Sequence, residues 1–117
     1  MEKHVFDDTD PAVAPDLVNV EVVHTLRRLE RRRYVDADRA REALDDFALL
    51  PIARYPTLDL MARAWELRHN FTPYDAVYIA LAEVLETPLI TADRHLALAV
   101  PSHTTVRVIT VPSENPT

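Results

Sequence analysis

Three carboxylates of this sequence stand where side chains could act together on a substrate. Asp93 closes the apolar segment PLIT, Asp75 follows the start of TPYDAVYIALAE, and Glu21 lies within LVNVEVVHTLRR. Carboxylates gathered without histidine or cysteine partners are the ligands that a hard cation such as Mg²⁺ or Mn²⁺ requires. The matching reaction is phosphodiester hydrolysis, in which the cation activates a water and neutralises charge that develops on the phosphate.

Each carboxylate also has an ordinary structural interpretation. A single aspartate at the start of a helix, such as Asp75 or Asp93, is more often a cap or a partner of the helix dipole than a ligand. Glu21 falls with His24 and Arg28 on the polar side of its predicted helix, and taken alone it is best explained as a surface glutamate. The two aspartates together favour a functional cleft, because both fall where strands of a parallel sheet end and helices begin.

The composition removes several other kinds of site. The chain has neither cysteine nor glycine, which excludes disulfides, thiolate zinc sites, cysteine nucleophiles and the glycine loops that cradle nucleotide phosphates. Its five histidines show no HExxH or other ligand spacing, and there is no GxSxG motif. No signal-peptide pattern and no run of eighteen apolar residues occurs, so we expect a cytoplasmic protein without a membrane segment.

The domain organisation follows from where regular patterns begin. Residues 1–15 are acidic and interrupted by Pro11 and Pro15, which predicts an irregular lead-in. A chain of 117 residues is long enough for one domain with a core, and we assign it to residues 16–112. Residues 113–117 are predicted to be a tail.

Two amphipathic helices are predicted next. Asp16 is the expected cap of the first, over residues 17–33, with arginines opposite its apolar stripe. That stripe consists of Val18, Val22, Leu26 and Leu29. Asp36 or Asp38 is expected to cap the second helix, which Pro51 stops.

A strand and a third helix follow. The segment Ile52 to Tyr55, bounded by prolines, is a candidate strand. Thr57 is predicted to cap a helix that continues to Arg68, and Asn70 is the expected left-handed terminator in a chain without glycine.

The clearest helix start lies at Thr72, with Pro73 at the first helical position and Asp75 in the first turn. This helix is almost wholly apolar, so it should be buried on most of its circumference. The segment PLITAD, a short helix from Asp93 to Val100 and the strand VRVITV complete the order. Alternating strands and helices predict an α/β fold with a parallel sheet and right-handed crossovers.

The charge is unevenly distributed. The net charge is −6, which argues against a broad basic nucleic-acid surface, yet seven of the thirteen basic residues lie in one fifteen-residue stretch. Those seven are Arg27, Arg28, Arg31, Arg32, Arg33, Arg39 and Arg41. Either a local phosphate-attracting face or a solvated helix face with a few ion pairs explains them, and charge alone favours the second.

The segments LVNVEVVHTLRR, TPYDAVYIALAE and PLITAD resemble, in this order, the acidic motifs of PIN-domain nucleases, especially toxins of the VapC type. The resemblance covers about residues 15–111. It implies a PIN-like parallel sheet sandwiched by helices and a ribonuclease toxin of a toxin–antitoxin pair. It also implies that Glu21, Asp75 and Asp93 are catalytic ligands of Mg²⁺ or Mn²⁺, and that Thr91 supports the site by hydrogen bonding.

The same resemblance implies partners. They are an RNA substrate contacted through its backbone, a cognate antitoxin of the VapB type that threads a segment into the active-site groove, and a second copy of the chain in a homodimer. Arg27, Arg28 and Arg31 are the arginines that we expect to contact RNA.

The front of the chain departs from the family pattern. Members of the family begin with a hydrophobic strand ending in an aspartate, followed by a helix, before the motif that contains Glu21. The segment VFD at residues 5–7 imitates such a strand end. Glu21 follows Asp7 by only fourteen residues, however, which is too few for the helical crossover expected between them. We therefore expect a truncated chain that lacks one metal ligand and the central strand, which would lie between Ile52 to Tyr55 and Leu89 to Thr91.

Three functional hypotheses follow from these patterns. The first is a metal-dependent ribonuclease toxin with weak or no activity in the chain as written, because translation starts further upstream or because the gene has decayed. The second is a noncatalytic PIN-domain remnant that binds an antitoxin or a partner subunit. The third, a helical nucleic-acid-binding module using Arg27 to Arg33, fits least well with the acidic total and the buried helix.

Overall fold

The computed structural model describes residues 12–112, which fall into two compact units divided between residues 55 and 56. The first unit contains strand β1 (Ala12–Pro15), helix α1 (Val18–Arg31), helix α2 (Ala37–Ala48) and strand β2 (Ile52–Tyr55). The two strands are parallel, and Ala12 pairs with Ile52. The two helices therefore form the crossover between parallel neighbours, as parallel pairing requires.

The second unit repeats the strand–helix alternation. A 3₁₀ helix (Thr57–Leu60) leads into helix α3 (Met61–Glu66) and helix α4 (Pro73–Leu85). Strand β3 (Leu89–Thr91), helix α5 (Arg94–Ala99), a second 3₁₀ helix (Val100–Ser102) and strand β4 (Val108–Thr110) complete the unit. Strands β3 and β4 are parallel. The α/β prediction with parallel strands is confirmed, and the strands form two two-stranded sheets within residues 12–112. The predicted domain bounds, residues 16–112, stay a prediction.

Strand β1 corrects the prediction of an irregular lead-in for residues 12–15, the part of that segment that the structure describes. The segment AVAP pairs along its whole length with β2, and Pro15 is fully buried. Alanine and proline have low strand propensity, and the pairing partner lies forty residues further along the chain, so no local pattern indicated this strand. The decoy segment at residues 5–7 and the predicted tail lie outside the described residues.

Three predicted helix ends are also corrected. Asp16 does not cap α1: the N-cap residue is Leu17, and the backbone N–H of Asp16 donates to Tyr55 O (2.9 Å), which extends the β1–β2 pairing. At Thr57 a 3₁₀ turn forms, and the α-helix begins only at Met61. Asn70 is not left-handed, because the positive φ angles within residues 12–112 belong to Arg33 (63°) and Glu86 (52°).

Other local predictions are confirmed. Asp36 caps α2 by accepting a hydrogen bond from Arg39 N (2.7 Å), and Thr72 caps α4. Strand β2 has the predicted bounds. The core of the second unit forms around α4, as its apolar sequence predicts, and it comprises Leu67, Phe71, Ala76, Ile79, Ala82, Leu89, Val100 and Val106. Among the described residues no helix has the length and hydropathy needed to cross a membrane.

Candidate functional site

Asp75 is held at the start of the most deeply buried helix of the second unit. Helix α4 begins with Thr72 as N-cap and Pro73 at the first position, and the Asp75 backbone N–H donates to Thr72 Oγ1 (3.2 Å). Six residues of α4 are buried, which fixes the helix in the unit. The half-buried carboxylate of Asp75 therefore stands at the positive end of a rigid helix, where a negative charge is stabilised.

Asp93 occupies the turn between β3 and α5. Its Oδ1 atom accepts hydrogen bonds from the backbone N–H groups of His95 (2.9 Å) and Leu96 (3.1 Å), so this aspartate is the N-cap of α5. Thr91 Oγ1 accepts a hydrogen bond from Asp93 N (3.0 Å). The side chain of Asp93 is exposed. Both capping bonds end on one carboxylate oxygen, and the turn that carries Asp93 is tied to the last residue of β3.

The connection from α4 to β3 brings the two aspartates to one end of the second unit. Helix α4 ends at Leu85, and the left-handed backbone of its C-cap Glu86 reverses the chain; Thr87 N donates back to Ala82 O (3.0 Å). Only three residues separate α4 from β3, so the helix and the strand run in opposite directions. The helix start with Asp75 and the strand end with Asp93 therefore face the same end, as in other parallel α/β arrangements.

Glu21 lies in the first unit. It is half-buried in the first turn of α1, and helical geometry places it about 100° from the centre of the exposed face and away from the apolar stripe. Arg28 lies two turns further along on the same side. The prediction that Glu21 joins the two aspartates as a metal ligand stays a prediction.

The carboxylate oxygens of the second unit are donor atoms of the type that a hard cation binds. Asp75 and Asp93 offer only carboxylate oxygens, and Mg²⁺ is commonly held by one or two carboxylates together with waters and substrate phosphates. Throughout residues 12–112, no group of three or more histidine, cysteine, aspartate or glutamate side chains could hold a metal ion. Asp75 and Asp93 are thus the type of ligand that the sequence predicts. Glu21, the third predicted ligand, stays a prediction.

An ion-pair cluster that the sequence did not reveal supports α4 at its other end. Glu83 accepts two hydrogen bonds from the Arg63 guanidinium, at 2.7 Å and 2.9 Å, and one from the Thr104 hydroxyl. Arg63 also donates to Glu66 (3.1 Å). Hydrogen bonds from Arg63 hold the pKa of Glu83 below its ordinary value of 4.5, against the opposing effect of burial.

This cluster, which we call the Glu83 clamp, joins α3, α4 and the segment before β4. The Thr104 hydroxyl that donates to Glu83 also accepts a hydrogen bond from Val106 N (3.3 Å). A sequence signal existed, because a charged residue within an otherwise buried helix requires a partner. The signal indicates that a partner exists but does not identify Arg63, which lies twenty residues away.

An apolar groove of about 590 Å³ lies beside the start of α4. Met61, Trp65, Pro73 and Val77 contribute to its lining, together with the stem of Arg68, whose guanidinium stacks on the Trp65 ring at 4.1 Å. Met61 and Trp65 are 60% and 66% exposed. These two apolar side chains of α3 therefore lie at the surface of the second unit.

The comparisons with known proteins agree with one another. A family model described as "PIN domain" matches residues 2–100. Ribonuclease VapC9 of Mycobacterium tuberculosis is 45% identical over 83 residues, which is 71% of this chain and 65% of that protein. Ribonuclease VapC1 of the same organism is 46% identical over 87 residues, covering 74% of this chain and 65% of that protein. Ribonuclease VapC12 is 37% identical over 84 residues, or 72% of this chain and 65% of that protein. The matches thus span just under two thirds of each relative.

Proposed function

The chain belongs to the PIN-domain family, and on that premise we propose that it is a VapC-type endoribonuclease toxin that hydrolyses RNA with a divalent cation, Mg²⁺ or Mn²⁺. Relatives named VapC ribonucleases, at 45% and 46% identity, support the substrate class and the toxin–antitoxin context. The structural observation that carries the proposal is the position of Asp75 and Asp93 at one end of the second unit. In parallel α/β folds that end is where functional sites lie.

The two aspartates have separate roles in this proposal. Asp93 is oriented by its own capping bonds, because Oδ1 is held by two backbone N–H groups and Oδ2 is then the oxygen that we assign to the cation. Asp75 lies in the first turn of α4, where the helix dipole favours a negative charge, and is the second proposed ligand. Thr91 fixes the turn by accepting the Asp93 N–H. The cation, when bound, would activate a water and neutralise charge on the scissile phosphate.

Glu21 is the third ligand in the proposal, and its support is the motif resemblance rather than geometry. An antitoxin of the VapB type, a homodimer and a cytoplasmic location belong to the same proposal and rest on the same resemblance. Co-purification tests the antitoxin and the mass of the chain in solution tests the homodimer, both separately from catalysis.

The decisive experiment exploits the fact that asparagine caps a helix as well as aspartate does. Asp93→Asn should leave helix α5 and stability intact while removing the charge that a cation needs. We expect Asp93→Asn and Asp75→Asn each to reduce Mn²⁺-dependent cleavage of single-stranded RNA by at least about 100-fold, because even changes around a metal ligand cost roughly 10- to 100-fold. Asp38→Asn, an exposed first-turn aspartate of α2, is the matched control and should cleave like the unsubstituted chain.

Direct Mn²⁺ binding, measured by titration, gives a second readout because the sequence predicts weak turnover. Binding that weakens in Asp75→Asn, Asp93→Asn and Glu21→Gln supports all three ligands. If Mn²⁺ binds the three variants and the unsubstituted chain equally, the metal site is wrong. RNA binding without metal-dependent cleavage would instead favour the noncatalytic alternative, a PIN-domain protein that binds an antitoxin or a partner subunit.

A further inference from the structure

Helix α1 ends in a dense group of arginines. Five of the seven residues from 27 to 33 are arginine, and all five side chains are exposed. Helix α1 ends at Arg31, Arg32 is its C-cap, and Arg33 has a left-handed backbone. We call this group the basic end of α1, and it consists of Arg27, Arg28, Arg31, Arg32 and Arg33.

The guanidinium groups of the basic end have no ion-pair or side-chain hydrogen-bond partner within the described part of the chain. The arginines of the next helix differ: Arg39 pairs with Glu42 (2.8 Å) and Arg41 with Asp45 (3.0 Å). Both groups are exposed and close in sequence. Solvent exposure alone therefore does not explain why, within residues 12–112, the arginines of α2 are paired and those of the basic end are not.

The basic end is costly to the helix that carries it. Arginines four residues apart, such as Arg27 and Arg31 or Arg28 and Arg32, repel each other along the helix. The negative end of the helix dipole offsets part of this repulsion, but only within the last turn. A bound polyanion would offset the rest, and guanidinium groups bind phosphates in a bidentate geometry.

Helical geometry aligns part of the basic end with Glu21. Arg28 and Arg32 follow Glu21 by seven and eleven residues, which keeps them within about 20° of it around the helix and about 10 Å and 16 Å along the axis. Arg27 and Arg31 form a second row on the adjacent exposed face. A strand of phosphates lying along α1 would meet these arginines on one side of Glu21.

We propose that the basic end of α1 binds the backbone of single-stranded RNA and holds it along α1 toward Glu21. The identification of the polyanion as RNA rests on the proposed function. The site is electrostatic and independent of base sequence, since guanidinium groups contact phosphates and phosphate contacts carry no sequence information. It extends the three arginines predicted from the sequence, Arg27, Arg28 and Arg31, to Arg32 and Arg33.

The test measures binding of the full chain to a fluorescent single-stranded RNA in EDTA, where no metal-dependent cleavage occurs. Each phosphate contact contributes about 0.7 to the slope of log affinity against log salt. Replacing Arg28 and Arg32 together by glutamine should therefore lower the slope by about 1.4 and the affinity by roughly 25-fold at 0.1 M salt. The control, Arg39→Gln with Arg41→Gln, removes the same charge from paired arginines and should change the slope by less than about 0.5.

The outcomes separate this inference from the proposed function. Equal effects of the two double variants, or no binding by the unsubstituted chain at 50 mM salt, overturn the inference. The same holds if an acidic peptide binds the basic end and RNA does not. Metal-dependent cleavage with unchanged RNA affinity in Arg28→Gln/Arg32→Gln overturns the inference alone. RNA affinity that depends on Arg28 and Arg32 without any cleavage keeps the inference and removes the catalytic proposal.

Discussion

Residues 12–55 and residues 56–112 differ in how deeply their helices are buried. In the second unit, α4 buries six residues, and side chains from α4, β3 and the neighbouring turns close a core around it. In the first unit, only Ala14 and Pro15 are buried among the described residues, and neither α1 nor α2 has a buried residue. The apolar stripes of α1 and α2 are regular but only half covered.

The difference shows what helical periodicity does and does not predict. An apolar stripe predicts which residues share a face of the helix. In α1 these residues all lie on the less exposed side, and they are Val18, Val22, Leu26 and Leu29. The depth of burial depends on how many other elements cover that face, which no single segment encodes. Helix α4 is apolar around most of its circumference and is buried as that composition predicts.

The largest effect that tests this comparison comes from a matched pair of leucines. Leu81 in α4 is 4% exposed, whereas Leu26 in α1 is half-buried. Removing a buried leucine side chain leaves a cavity, so Leu81→Ala should lower the free energy of unfolding by about 3 kcal/mol, within the usual range of about 2–5 kcal/mol. Leu26→Ala should cost about 1 kcal/mol, because half of its side chain already contacts water.

Urea denaturation followed by circular dichroism measures both variants. Equal losses for Leu81→Ala and Leu26→Ala would show that α1 is covered as deeply as α4 in solution, and the contrast between the two units would then be wrong. Two separate transitions would show instead that the units unfold independently, in which case each loss is assigned to its own transition.

Local chemistry in the sequence predicted the helix starts that have a side-chain cap. Asp36 and Thr72 each accept a backbone N–H as expected, because an N-cap depends on residues three or four positions away. Strand β1 and the true start of α1 were missed for one shared reason. Both depend on pairing between residues 12–16 and 52–55, and such long-range pairing leaves no local signal.

The candidate site was predictable to a similar degree. The positions of Asp75 at a helix start and Asp93 at a strand end follow from local patterns, and the short α4–β3 connection brings them to one end. The grouping of Glu21 with them came only from the family resemblance. The Glu83 clamp was missed because its partners, Arg63 and Thr104, are each about twenty residues away.

The Glu83 clamp gives a smaller test within the second unit. Glu83→Gln removes the charge that Arg63 and Thr104 contact, and we expect a loss of about 1 kcal/mol at pH 7, kept low because the Arg63 side chain is 38% exposed. Glu66→Gln changes the other, more exposed partner of the same guanidinium and should cost less than about 0.5 kcal/mol.

The stability lost in Glu83→Gln should become smaller as the pH falls. The pKa of Glu83 is lowered in the folded chain, mainly by hydrogen bonds from Arg63, so its contribution is complete above the ordinary value of 4.5. The contribution disappears as the pH falls through the lowered pKa. Urea midpoints of Glu83→Gln and the unsubstituted chain should therefore differ at pH 7 and converge in acid; a difference that grows in acid would contradict the assigned pKa direction.

The smallest effect compares the two left-handed residues, one in each unit. Arg33 and Glu86 have φ angles of 63° and 52°, a region that costs a residue with a Cβ atom about 1–2 kcal/mol. Glycine relieves that strain but loses more chain entropy on folding, so Glu86→Gly should stabilise by about 0.5 kcal/mol and Arg33→Gly by less. Glu86→Gly should raise the urea midpoint, because the turn after α4 connects that buried helix to strand β3, whose Leu89 is in the core. Arg33→Gly should raise it less, since a turn in a thinly covered unit contributes less to the main transition. If Arg33→Gly raised the urea midpoint more than Glu86→Gly, the turn in the first unit would contribute more to stability than the turn in the second. The contrast between the two units would then be reversed.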